Sequence, residues 1–113
     1  MTREERQLLL KDLCARLPYY TELYSNVADH NWAILTPVVI SNLMNATDEL
    51  IIKPYLRPMS SMTEEETDEY DRLVMCNASW VVDDWLHKNH FDYRRLIPMG
   101  LALEAPEGMY KNK

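Results

Sequence analysis

A chain of 113 residues has the length of one domain, and it should bury roughly two-thirds of the surface its unfolded form exposes. With 47% hydrophobic and 27% charged residues it reads as globular rather than disordered, and no apolar run approaches the ~20 residues that cross a bilayer. The net charge of −6 is uneven. Glu64 to Asp84 hold eight acids and one base, a sum of −7 that leaves +1 elsewhere, and no more than two bases are adjacent. A surface that neutralises nucleic-acid phosphates is therefore not expected.

The first predicted element is a helix. Thr2 and Glu5 have the spacing of a capping box, and Leu9, Leu10, Leu13, Cys14 and Leu17 form one apolar stripe. Pro18 stops it, because the residue before a proline is pushed out of helical geometry. Arg3, Arg6, Lys11 and Arg16 fall on the water-facing side. Tyr19 to Tyr24 is aromatic-rich and of strand character, Ser25 to Asn31 has loop composition, and Trp32 to Leu35 has strand length. Thr36-Pro37 has two readings: an N-cap with proline at the first helical position, leading through Val39, Ile40, Leu43 and Met44, or a break between strands rich in β-branched residues. Glu49 to Lys53 reads as a strand that Pro54 ends or confines to a sheet edge. With no glycine before Gly100, tight hairpins are not expected, and turns fall to Asn26 and to Asn45 to Asp48.

Pro54 and Pro58 flank Tyr55-Leu56-Arg57, which reads as a stiff extended strap. Thr63 and Glu66 then form a second capping box, with Glu64 to Glu66 facing water and favouring the helix start. Tyr70, Leu73, Val74 and Asn77 form the inner stripe of that helix. A further helix spans about Ala78 to Lys88, with Val81, Val82, Trp85 and Leu86 inward and Trp80 offset from them. Asp92 caps a short turn through Ile97, which Pro98 and Gly100 end, and Leu101 and Leu103 pack.

Chemistry-bearing residues are sparse. Asp83 and His87 share a helix face at four-residue spacing, with His90 three further on, so the three are candidate ligands for a divalent metal. An exposed helix end, where histidines meet the helix dipole, explains the same residues. Cys14 and Cys76 form no metal spacing and read as small buried apolar residues of a reducing compartment. A pairing of either with His30, His87 or His90 is the thiol-enzyme alternative. Glycine is too scarce for a phosphate loop, and no cofactor is expected. Trp80, Tyr20 and Tyr24 are candidate protein-binding residues, and the acidic segment would suit a basic partner surface.

KPYLRPMSSMTEEE (Lys53 to Glu66), DWLHKNHFDYR (Asp84 to Arg94) and GLALEAPEGMY (Gly100 to Tyr110), together with LLLKDLCARLPY (Leu8 to Tyr19), resemble a family of short uncharacterised proteins found in gut Bacteroidales genomes and their phages or prophages. The resemblance implies a bacterial or phage cytoplasm and carries no catalytic residues to transfer. Arg95 stands where the family leads one to expect glycine, and Pro98 where a polar residue is common. Tyr20 to Ile52 lies outside it.

The expectation is one helix-rich α+β domain over residues 1–113, with an N-terminal helix, a small antiparallel β element and C-terminal helices; an all-helical bundle is the alternative. The expected function is non-catalytic binding of another protein or of itself, with no nucleic acid or membrane involved. A small metal-dependent or thiol enzyme is the alternative. The N-terminal MTREERQ, charged with both signs, does not read as a secretory signal, so the expected location is cytoplasmic.

Overall fold

Two threonines start the two long helices. Thr2 Oγ1 accepts from the Glu5 N–H at 3.0 Å while Glu5 returns a carboxylate to the Thr2 N–H at 2.9 Å, which opens α1 (Arg3–Arg16). Thr63 and Glu66 repeat the arrangement at α3 (Glu64–Met75). The computed structural model describes residues 2–45, 50–76 and 79–110. Within them lie also β1 (Glu22–Ser25), β2 (Trp32–Ile34), α2 (Pro37–Met44), β3 (Ile52–Pro58), α4 (Ser79–Lys88), β4 (Phe91–Asp92) and β5 (Leu103–Glu104). The fold is α+β, and the all-helical alternative is excluded. At Thr36-Pro37 the helix reading wins, with Thr36 Oγ1 accepting from the Val39 N–H at 3.4 Å. Asn77 and the Asn45–Asp48 turn, apart from Asn45 itself, lie outside the described residues.

The sheet runs β2-β1-β3-β4, with β5 also pairing β3. It is mixed rather than purely antiparallel: β1 pairs antiparallel with β2 and β3, whereas β4 and β5 run parallel to β3. The strap of the sequence reading is thus the central strand. It begins at Ile52 and runs straight through Pro54 to Pro58. Pro54 stands opposite Leu23, three residues from Ile51, whose carbonyl accepts from the Asn26 N–H, so the odd offset puts Pro54 at a pair that exchanges no hydrogen bonds with β1. Its missing N–H would have pointed away from β1, so the ladder loses nothing. The single peptide between Leu56 and Arg57 is bonded on both sides, its N–H to the His90 carbonyl at 2.7 Å and its C=O from the Ala105 N–H at 2.8 Å.

The antiparallel pair β1 and β2 is joined by six residues, Asn26 to Asn31, rather than by a tight two-residue turn, as the glycine scarcity led one to expect. Tyr20, His30, Asn31, His90 and Arg95 take the left-handed backbone themselves, with φ between 53° and 64°. His90 occupies the position just past α4 where glycine usually sits, and its ring stacks on Tyr110 at 3.7 Å between centroids. Arg95 has φ 62°.

Two apolar clusters hold the elements. The larger is aliphatic: Leu9 and Leu13 of α1 and Ile40 and Leu43 of α2 pack on the face of the sheet that carries Leu23, Ile52 and Leu56. The smaller gathers Trp85, Leu86 and Phe91, with Met59, Met62, Tyr70 and Leu73 against them. Charge bridges the two. Arg16, expected in water, has 0% exposure; it bonds Asp12 at 2.7 Å and the Phe91 carbonyl at 2.5 Å, and Arg94 reaches the other Asp12 oxygen at 3.1 Å. Arg16 is drawn inward because the helix end that carries it faces β4, whose carbonyl needs a donor.

Candidate functional site

The metal candidates do not converge. Asp83 points to solvent, whereas His87 turns inward and meets the Tyr93 hydroxyl at 2.7 Å. His90, beyond the helix end, is held by Tyr110 and approaches Thr21 Oγ1 at 3.4 Å through Nδ1. The left-handed turn at His90 breaks the helical spacing that would have aligned the three. Among the described residues no group of three or more His, Cys, Asp or Glu is placed to hold a metal ion. Cys14 and Cys76 are free and exposed, which corrects the expectation that they are buried.

The buried rings show what their environment favours. Burial first, then Arg16 and Arg57, holds the His90 imidazole down at about 4, so it is neutral at physiological pH. Burial likewise lowers His87 and raises Tyr93, which keeps both members of that pair uncharged. A general base acting on a phenol would need the opposite shifts, so His87 and Tyr93 make a neutral structural bond. The Tyr110 hydroxyl, raised by burial, accepts from the Glu22 N–H at 2.8 Å and lies 2.8 Å from the Tyr55 carbonyl. It pins the C-terminal segment where β1 and β3 part.

Of the clefts that border β3, two lie at its C-terminal end. One, of about 570 Å³, is lined by Arg57, Thr63, Glu66, Glu104, Glu107 and Tyr110 among others. Its central charges neutralise each other: Arg57 grips both Glu66 oxygens, at 2.6 and 2.9 Å, and lies over the Phe91 ring. Arg57 lowers the Glu66 carboxyl below its ordinary value. Glu66 is therefore buried rather than water-facing, unlike Glu64 and Glu65. The other cleft, about 540 Å³, is lined by Met59, Tyr70, Asp92, Tyr93 and Arg95 among others. Both Asp92 oxygens there are taken by the Leu96 and Ile97 N–H groups at 2.9 Å. These carboxylates are committed to the fold and are not poised for acid–base work.

The outer surface is more telling. Trp80 is 74% exposed on α4, and Met75, at the end of α3, is 82% exposed, with Val74 beside it also exposed. Val74 was expected inward; the α3 stripe instead closes with Tyr70 and Leu73. Tyr20 is exposed too, and neighbouring Tyr19 donates its hydroxyl to Asp84, one turn along α4 from Trp80. Tyr24 belongs elsewhere. It lies half-buried on the sheet, in register with Trp32, whose indole N–H donates to Glu22 at 2.8 Å. Of the three binding candidates, Trp80 and Tyr20 are exposed and Tyr24 lies half-buried on the sheet. Met75 was missed, yet it sits two residues and so roughly 200° around the helix from Leu73. That offset was a usable signal of exposure.

Compared with known proteins, the chain matches no family model, no curated protein and no solved structure. Among the described residues no helix is long and apolar enough to cross a membrane.

Proposed function

We propose that this chain is a small non-catalytic protein that works by binding another protein. The observation that carries the reading is the pair Met75 and Trp80, 82% and 74% exposed, on the end of one helix and the start of the next. Large apolar side chains cost solubility when left in water, and Trp and Met are enriched where partners dock. The committed state of the buried carboxylates, histidines and tyrosines supports binding over catalysis. The resemblance of the sequence implies a bacterial or phage cytoplasm as the setting of that interaction.

Site-specific photo-crosslinking in a bacterial host tests the reading. A crosslinker at position 80 should capture a discrete protein adduct, while the same group at Lys11, exposed on α1, should not. Equal labelling at both positions, or none at either, would overturn it.

A further inference from the structure

We infer that the partner of the α3–α4 surface is a cationic amphipathic segment of another protein. This rests on the protein-binding reading and adds the chemistry of the occupant.

The apolar residues stand inside a mostly acidic rim, interrupted by Arg72 one turn before Met75. On α3, Asp71 lies one turn before Val74 and Met75, and Asp68 one turn before Asp71. On α4, Asp83 and Asp84 lie one turn after Trp80. All four carboxylates are exposed. The counter-charges on these helices are Arg72 and Lys88, and Glu66 is paired from outside them, by Arg57. The patch therefore offers an apolar centre to bury and a negative field to steer what buries it.

That field selects among occupants. A second copy would bring the same carboxylates against themselves, a like-charge contact that costs affinity. Anionic lipid headgroups and nucleic-acid phosphates carry the same sign as the rim. A helix with an apolar stripe flanked by Lys or Arg satisfies both features at once, its stripe covering Met75 and Trp80 and its cations reaching Asp71 and Asp83.

The test uses the full chain and three labelled peptides of about 18 residues, five helical turns. One is a Lys/Leu amphipathic helix, one is the same composition scrambled to destroy the stripe, and one replaces Lys by Glu. Fluorescence anisotropy should show the amphipathic cationic peptide binding at least about tenfold tighter than either control. Trp80→Ala should weaken it about tenfold or more, and Trp32→Ala should leave it unchanged. Asp71→Asn with Asp83→Asn should weaken it several-fold and flatten its dependence between about 50 and 300 mM salt. All substituted residues are exposed, so the variants keep the fold, which circular dichroism verifies.

Equal binding of the scrambled peptide, or binding that ignores Trp80→Ala, would reduce the effect to diffuse charge and sink the proposal. So would Trp80-dependent dimerisation in sedimentation, or Trp80-dependent capture by anionic vesicles. If no peptide binds while the crosslinker at position 80 still captures a protein, the partner chemistry is wrong and the binding reading survives. If both fail, both fall.

Discussion

The two apolar clusters are built on different terms. Around α1, α2 and the sheet the contacts are aliphatic, and Leu9, Leu13, Leu23 and Leu56 are fully buried. Around α3, α4 and β4 the contacts are aromatic and methionine-rich. Trp85 stacks on Phe91 at 5.6 Å, but Tyr70, Leu73, Val82 and Met62 are only partly covered. The first region encloses its leucines completely, though Val38 and Met44 on the outside of α2 are exposed, whereas the second has a half-covered core and ends in bare Val74, Met75 and Trp80. A region with fewer fully buried contacts opens at lower cost, and it is the usual place for a surface that must meet a partner. Between them, Asp12 serves two arginines that neither cluster could bury alone.

Breaking that joint should have the largest effect. Asp12→Ala strips the carboxylate from the buried Arg16 and from Arg94, and should cost about 3–5 kcal/mol in urea unfolding. A loss below about 1 kcal/mol would mean the clusters do not depend on the ionic joint.

Truncations compare the clusters directly. Leu13→Ala, in the closed region, should cost about 2–5 kcal/mol, and Leu73→Ala, half-covered in the open one, about 1. Equal losses would erase the distinction drawn here.

Acid should act through buried titratable groups outside the joint. His90 is held at about 4 when folded against 6.5 when unfolded, so between those values the unfolded chain binds the extra proton. Its contribution is complete above pH 6.5 and is lost as pH falls towards 4, on the order of 2–3 kcal/mol. Glu66 is shifted down from 4.5, so its contribution is present above that value and disappears only at lower pH. Urea midpoints followed against pH should fall in that order. In His90→Gln the first fall should shrink to the part that His87, also lowered by burial, contributes, while the second remains.

Smaller effects sharpen the picture. Arg95→Gly removes a side chain from a left-handed backbone and should raise stability by up to about 1 kcal/mol in thermal unfolding. Trp80→Ala should change stability by less than about 0.5 kcal/mol, because the indole contacts water rather than core. A large loss there would show Trp80 to be structural and would weaken the binding proposal.

Much of the fold was legible in the order of residues. The capping boxes at Thr2 and Thr63, the strand at Trp32 and the inward Trp85 all follow from local chemistry: the reach of a threonine hydroxyl, strand length, the helical period. The stop at Pro18 does not have the expected cause, because Leu17 keeps helical geometry (φ −53°, ψ −41°) and a 3-10 turn carries the chain to Tyr19, where the left-handed Tyr20 ends it. Of the candidate site, Trp80 was legible from its offset to the Val81–Val82 stripe, whereas Val74 was misplaced because the stripe that begins at Tyr70 gives no sign of where packing stops.

What remained hidden depends on partners distant in sequence. Nothing near Arg16 announces that the Phe91 carbonyl, 75 residues away, will draw it inside. Nothing near Pro54 shows that its absent N–H falls on the edge of β3 away from β1, so that the ladder to β1 does not need it. His87 and His90 look like ligands until Tyr93 and Tyr110 claim their rings. Local sequence determined where helices start and which faces are apolar, because those rest on neighbours within a turn. Which charges are buried, and which apolar residues are left in water, was decided by the packing of the two clusters, since burial belongs to the assembled surface and not to any single segment.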